Sequence, residues 1–304
     1  MFKNIPEQTL AKFCGLYSGF VFGIYWIPLR ALERSGFEGM WATTLFNGAS
    51  LLVILPVILY YWRNFFYLRW RFHLICFGVG TGYTLYASAF LYTEVVSAIV
   101  MFYMMPIWGF LLARIIIKDP ITPIRWISMV AAFTGLWIIL GKDSGVPLPR
   151  NIGDWMSLSG GLVWAGLSLM LLTDKEENPV NYAAGFVGWG FITCLVSALI
   201  ATHLGYSATP NWSALLSETF WLLPFAAIVI IPAAIATIYA PTKLNPGIVG
   251  LLFMCEISVA TITAALWAGE PFGPRQILGV IMITIGGILE TVWLYFRPRT
   301  KVIA

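Results

Sequence analysis

The chain has 304 residues, of which 59% are hydrophobic and only 11% are charged, and its mean hydropathy is +0.82. Soluble domains carry about 25% charged residues, so this chain has too few of them to coat a soluble enzyme. A disordered chain would need low hydrophobicity. The composition therefore indicates an integral membrane protein.

Long stretches contain no Asp, Glu, Lys or Arg, such as those between Lys12 and Arg30 and between Glu218 and Lys243. A helix needs about 20 mostly apolar residues to cross a bilayer, and barrel strands would alternate over about ten residues. We therefore predict an all-α membrane protein with ten transmembrane helices. The predicted ranges are 10–29, 37–62, 70–91, 95–115, 122–140, 153–173, 181–203, 218–240, 246–268 and 275–296.

The basic residues are distributed unevenly between the two ends of these helices. With the N-terminus inside, thirteen Lys and Arg residues lie at inner ends and five at outer ends. This bias follows the positive-inside rule. It predicts a multi-pass protein of the bacterial inner membrane with both termini in the cytoplasm. Because topology explains the net charge of +4, we expect no nucleic-acid partner.

The sequence shows no arrangement of residues typical of catalysis or metal binding. Cys14, Cys76, Cys194 and Cys255 lie in different predicted helices without paired spacing, which is typical of packing. Neither histidine has a metal-ligand companion, and there is no phosphate-binding GxxxxGK[ST] loop. We expect no cofactor, no metal and no catalytic residue. A membrane enzyme or a structural subunit is accordingly the least favoured function, and the oligomeric state stays open.

The two halves of the chain resemble each other. A shift of 151 residues aligns Asp119-Pro120 with Glu270-Pro271, and Gly135 with Gly286, without a gap. A shift of 142 residues aligns the first and sixth helices more weakly.

Each repeat then contains five helices, so the second repeat enters the membrane from the opposite side. We predict two inverted five-helix repeats, residues 1–145 and 146–304. Many secondary transporters share this architecture, and their substrate sites lie near the midplane between the repeats.

Two motifs, Tyr103-Met104-Met105-Pro106 and Phe253-Met254-Cys255-Glu256, are each followed by an acidic residue, a proline and then a glycine. In these motifs and their order the chain resembles the EamA-like branch of the drug/metabolite transporter superfamily. Its aromatic interior is similar to the YddG-type aromatic amino-acid exporters. Two residues depart from the family pattern: Asp119 replaces the usual Glu, and Ile257 replaces the proline of helix nine.

The resemblance implies a secondary transporter that exports amino acids, aromatic and other neutral ones, by alternating access. The expected partners are a small-molecule substrate and the lipid bilayer. An exporter of lipophilic cations with the same fold is the alternative. A cation would make Glu256 essential, whereas a zwitterion has other groups to bind.

Aromatic side chains with polar groups suit a ring-bearing, amphipathic ligand, although packing would also explain them. Glu256 lies near the middle of the ninth predicted helix, where a charge costs about 2.5–3.5 kcal/mol and usually faces a cavity. It could bind a substrate ammonium, carry a proton, or serve packing as a protonated group hydrogen-bonded to a neighbouring helix. The candidate substrate-binding residues are Tyr83, Tyr86, Tyr103, Trp164, Tyr239 and Glu256.

Tyr103 and Met105 are two residues apart, so in a continuous helix they point about 200° apart. If Met105 faces the substrate, Tyr103 belongs to the side wall. A kink at Pro106 would relax this limit, and we interpret Pro106 as a hinge.

Overall fold

The computed structural model describes residues 6–60, 70–89, 92–93, 95–140, 149–174, 178–267 and 272–296. Within these ranges the regular elements are helices and no strand occurs. The predicted boundary between the repeats at residue 145 and the Glu270-Pro271 motif lie outside the described residues.

The helices are numbered in chain order over the described ranges. They are α1 (Glu7–Gly23), α2 (Trp26–Arg34), α3 (Met40–Tyr60), α4 (Trp70–Ala89), α5 (Val95–Phe102), α6 (Met105–Ile116), α7 (Pro123–Leu140), α8 (Ile152–Thr173), α9 (Pro179–His203), α10 (Leu215–Phe225), α11 (Ile231–Lys243), α12 (Pro246–Phe253), α13 (Cys255–Trp267) and α14 (Pro274–Phe296). A π-helical turn, Ala226–Ile230, joins α10 to α11.

Six stretches of the described residues are long and apolar enough to cross a membrane. They are Glu7–Arg34, Met40–Tyr60, Ile152–Thr173, Pro179–His203, Trp212–Lys243 and Pro246–Trp267. Shorter apolar helices occupy Met105–Ile116 and Pro123–Ile139. The described residues are thus all-helical and indicate a multi-pass membrane protein, which confirms the predicted class. The ten spans in two inverted repeats stay a prediction.

Prolines account for two interruptions in helices that the sequence predicts as continuous. Between α1 and α2 the break includes Tyr25, and Pro28 cannot donate a hydrogen bond to the Ile24 carbonyl. Between α5 and α6 the break falls at Tyr103 and Met104. There Pro106 has no N–H for the Phe102 carbonyl.

The break between α12 and α13, at Met254, has no proline. The Ile257 N–H donates to the Met254 carbonyl at 3.0 Å, which tightens the turn. The Phe253 carbonyl is consequently released from the helical ladder. Phe102 and Phe253, the last residues before these two breaks, are 151 residues apart, the same shift that aligns the sequence repeats.

Contacts between helices follow matching patterns in the two halves. Helix α4 packs against α8, and α1 packs against α11. Likewise α5 and α6 pack against α8, while α12 and α13 pack against α1. Three further contacts, α3 with α9, α6 with α12 and α7 with α14, join corresponding predicted segments.

Glycines permit the closest of these approaches. A Cβ atom on Gly161 in α8 would lie 2.5 Å from the Phe102 carbonyl oxygen, and one on Gly19 in α1 would lie 3.2 Å from the Phe253 carbonyl oxygen. Gly19 and Gly161 are the residues aligned by the 142-residue shift. Both interrupted helices are therefore held at their breaks by a glycine of a neighbouring helix.

Candidate substrate site

The breaks in α5–α6 and α12–α13 bring an acidic residue and a tyrosine together. Tyr103, in the first break, is only 1% exposed. Its hydroxyl donates a hydrogen bond to Oε2 of Glu256, the second residue of α13 after the second break. The same hydroxyl lies 3.3 Å from the Phe253 carbonyl oxygen that the break releases. The single hydrogen of Tyr103 is thus placed between a carboxylate and a backbone acceptor.

Tyr86 lines one side of this pair. Its ring stacks on Phe102 with the centroids 4.1 Å apart and the planes at 26°. Phe102 in turn meets the Tyr103 ring edge-on at 5.6 Å. An aromatic wall therefore runs from α4 across the break in α5–α6 to the carboxylate.

Trp164 forms part of a second wall with Phe186. The two rings are edge-on at 6.2 Å, and Phe186 meets Tyr83 with the same spacing. On its other side Trp164 lies 6.3 Å from Phe253. Trp164 is 7% exposed, and its Nε1 has no hydrogen-bond partner among the described residues. A buried indole N–H normally finds a partner, so this donor is available to a ligand.

Three residues of this region were not predicted from the sequence: Tyr25, Phe102 and Phe186. Phe102 and Phe186 lie in apolar helices, so composition does not distinguish them from lipid-facing residues. Tyr25 could have been found from Pro28, because the proline predicts a break at which Tyr25 leaves the regular helix. Its hydroxyl lies 2.5 Å from that of Tyr83, and its ring packs edge-on against Phe46 at 4.5 Å.

Tyr239 lies apart from the other five predicted residues. It is half-buried in the last turns of α11, which ends at Lys243. Lys243 also donates a hydrogen bond of 2.8 Å to Glu7. The structure brings together Tyr83, Tyr86, Tyr103, Trp164 and Glu256, and leaves Tyr239 near the end of the bundle marked by Lys243, here named the Lys243 end.

A partly buried ion network also lies at the Lys243 end. Arg125 donates to Glu290 at 3.1 Å and to Asp119 at 3.0 Å, and the Asn245 side chain donates to Asp119 at 2.5 Å. These contacts fasten α7 to α14 and to the turn before α12. Arg125 bridges the two carboxylates, so we assign the network to holding these helices together at the Lys243 end.

Two clefts at the surface of the described residues lie away from Glu256. One, of about 860 Å³, is lined by charged residues of the α2 region, including Arg30, Glu33 and Arg34. The other, of about 380 Å³, is an apolar groove between α3 and α9. Neither includes a predicted substrate-binding residue. The described residues also contain no group of three or more His, Cys, Asp or Glu placed to hold a metal ion.

Known proteins resemble this chain in sequence and in fold. Residues 9–141 match the model of the EamA-like transporter family. Over 191 residues the chain is 24% identical to the threonine/homoserine exporter RhtA of Salmonella typhimurium, in strains SL1344 and LT2. That match spans 59% of this chain and 58% of each exporter. A crystal structure superposes on 93% of this chain and 96% of its own, with a TM-score of 0.69 and 14% identity, which shows a shared fold.

Proposed function

We propose, from the premise that residues 9–141 form a domain of the EamA-like transporter family in the drug/metabolite transporter superfamily, that this chain exports neutral amino acids, including aromatic ones. Membership of a transporter family implies a small-molecule substrate and a membrane environment, and implies that the chain is not an enzyme. The substrate and the mechanism of export are what we propose.

The observation that carries the proposal is the Glu256 carboxylate, held by Tyr103 between aromatic walls. No Lys or Arg among the described residues forms an ion pair with it. An ionisable group inside a membrane usually marks a substrate or ion pathway. We assign Glu256 to the substrate ammonium, which replaces the Tyr103 hydroxyl as its partner, and the aromatic walls to the apolar side chain.

The relatives support the same cargo class. RhtA is named as an exporter of threonine and homoserine, which are neutral amino acids with an ammonium group for Glu256 to bind. The rings of Tyr86, Phe102 and Trp164 extend the expected range to phenylalanine and tryptophan, because flat rings pack on aromatic walls.

Alternating access follows if the two halves are inverted repeats. The matching helix contacts and the two breaks 151 residues apart support this architecture. In it, ten spans form two five-helix halves, residues 1–145 and 146–304, and the site lies between them near the midplane. We place the Lys243 end and both termini in the cytoplasm of the bacterial cell, with the protein in the inner membrane, because thirteen of the eighteen basic residues lie at that side in the predicted topology.

Lipophilic cations are the competing cargo, and the same carboxylate favours them. A cation would need only Glu256 and the aromatic walls. An amino acid also needs a group that binds its carboxylate. Preloading vesicles with one cargo or the other therefore separates the two alternatives.

Counterflow in proteoliposomes tests the proposal. Vesicles are preloaded separately with unlabelled Phe, Trp, Thr, Asp, a sugar phosphate or a lipophilic cation, and uptake of labelled Phe is measured for wild type and Glu256→Gln. We expect Phe, Trp and Thr to stimulate uptake and Glu256→Gln to reduce it by about tenfold or more, since a hydrogen bond to a charged group contributes about 1.5–3 kcal/mol. Glu33→Gln, at an exposed carboxyl of α2, is the matched control and should transport normally.

If labelled Phe does not enter under any preload while a labelled lipophilic cation does, the cation alternative replaces the proposal. If neither enters, the assignment of cargo to this site is wrong.

A further inference from the structure

The Tyr25 and Tyr83 hydroxyls form a polar pair beside the aromatic walls of the site. Their oxygens lie 2.5 Å apart and join the break after α1 to α4. The Tyr83 ring is edge-on to Phe186, which leads to Trp164. The pair therefore belongs to the wall already assigned to substrate.

Within the described residues, one of the two hydroxyl hydrogens of this pair remains free to donate to a ligand. Each tyrosine hydroxyl has one hydrogen and can also accept. One hydrogen is used in the bond between Tyr25 and Tyr83, and the described residues offer the other no further hydrogen-bond acceptor. A hydroxyl that already accepts a hydrogen bond is a stronger donor, because hydrogen bonds in a chain polarise one another.

The surroundings of the pair are polar but uncharged. The Asn47 amide lies beside the Tyr83 hydroxyl and donates to the Thr43 carbonyl at 2.9 Å. Further along, Thr84 donates to Thr193 at 2.8 Å. No Lys or Arg among the described residues hydrogen-bonds to this group. Any anionic ligand here would be bound by neutral donors.

We infer that Tyr25 and Tyr83, with Asn47 beside them, form a subsite for the carboxylate of a zwitterionic substrate. The inference rests on the proposed function and deepens it, because Glu256 then binds the ammonium of the same molecule. Ring contacts run from Tyr83 through Phe186 and Trp164 to Phe253. Tyr103, the partner of Glu256, contacts the Phe253 carbonyl, so both groups belong to one site. A negative group and neutral donors in one site match a zwitterion and disfavour a simple cation.

The test compares phenylalanine with 2-phenylethylamine, which lacks only the carboxylate. Binding of each to the full-length protein in detergent is measured by calorimetry for wild type, Tyr25→Phe and Tyr25→Phe/Tyr83→Phe. The double variant removes both hydroxyls and keeps both rings, so the packing on Phe46 and Phe186 is retained. Tyr17→Phe, at a tyrosine 41% exposed in α1, is the matched control.

We expect the double variant to bind phenylalanine about tenfold more weakly, the loss of one hydrogen bond to a charged group. Binding of 2-phenylethylamine should change less than twofold, and Tyr25→Phe should be intermediate because the Tyr83 hydroxyl remains. Equal losses for both ligands, or no loss for phenylalanine, would overturn the subsite. Wild type that binds neither ligand would instead overturn the proposed function, so the two failures are distinct.

Discussion

At the scale of single residues, the Tyr103 hydroxyl is the one hydrogen-bond donor that the described residues give to Glu256. Tyr103→Phe leaves this carboxylate without a partner inside the membrane. Since a hydrogen bond to a charged group contributes about 1.5–3 kcal/mol, we expect the free energy of unfolding to fall by about that amount. Reversible unfolding in detergent micelles measures the change.

Two further variants separate loss of this bond from loss of packing. Tyr103→Phe in a Glu256→Gln background should cost less than in wild type, because the bond to a neutral amide is weaker. Tyr206→Phe, at a tyrosine 62% exposed near the end of α9, should leave stability unchanged. Equal costs of Tyr103→Phe in both backgrounds would show that the hydroxyl does not stabilise the carboxylate.

The sequence could predict Glu256 but not its partner. A lone acidic residue in an apolar run stands out from composition alone. The geometry of a continuous helix instead places Tyr103 and Met105 about 200° apart and makes Tyr103 a side-wall residue if Met105 faces the site. The interruption at Tyr103 and Met104 removes that constraint, so Tyr103 reaches Glu256 and Met105 is buried as well.

At the scale of elements, α8 holds the break after α5 through Gly161. A Cβ atom there would lie 2.5 Å from the Phe102 carbonyl oxygen, a backbone atom that cannot move without shifting the helix. We expect Gly161→Ala to lower the free energy of unfolding by about 1–3 kcal/mol, the usual cost of overpacking, and to slow counterflow by displacing Tyr103. Thermal unfolding and uptake of labelled Phe check the two effects.

Gly166 lies in the same helix, and a Cβ atom there would meet its nearest neighbour at 4.0 Å. Gly166→Ala should therefore be neutral or slightly stabilising, since alanine is favoured over glycine in a helix by about 1 kcal/mol. If both variants lost the same stability, close approach at Phe102 would not explain the requirement for Gly161.

Prolines explain which helix interruptions were predictable. Pro28 and Pro106 each lack the N–H for the carbonyl four residues earlier, and Pro106 is accordingly predicted as a hinge. The break at Met254 has no such signal, because Ile257 stands at the position corresponding to Pro106. Its released carbonyl is contacted by Tyr103 from another helix, and a tertiary contact of this kind cannot be read from local sequence.

At the scale of the whole molecule, the shift of 151 residues that aligns the two halves of the sequence also relates contacts in the structure. Gly135 and Gly286, aligned by that shift, sit at the contact between α7 and α14. A Cβ on Gly135 would lie 2.8 Å from the Ile283 nitrogen, and one on Gly286 would lie 2.7 Å from the Ala132 nitrogen. Ala132 and Ile283 are themselves 151 residues apart, so each half presents the same contact to the other.

The proposed sidedness gives the last prediction, which rests on charge. Moving basic residues across a membrane is disfavoured, so the side with thirteen of them should remain in the cytoplasm. Glu33 and Arg114 are both exposed and lie at opposite predicted ends. With the four native cysteines replaced by alanine, Glu33→Cys should react with a membrane-impermeant maleimide in intact spheroplasts. Arg114→Cys should react only after permeabilisation. The reverse pattern would invert the proposed direction of transport, because the Lys243 end would then face outward.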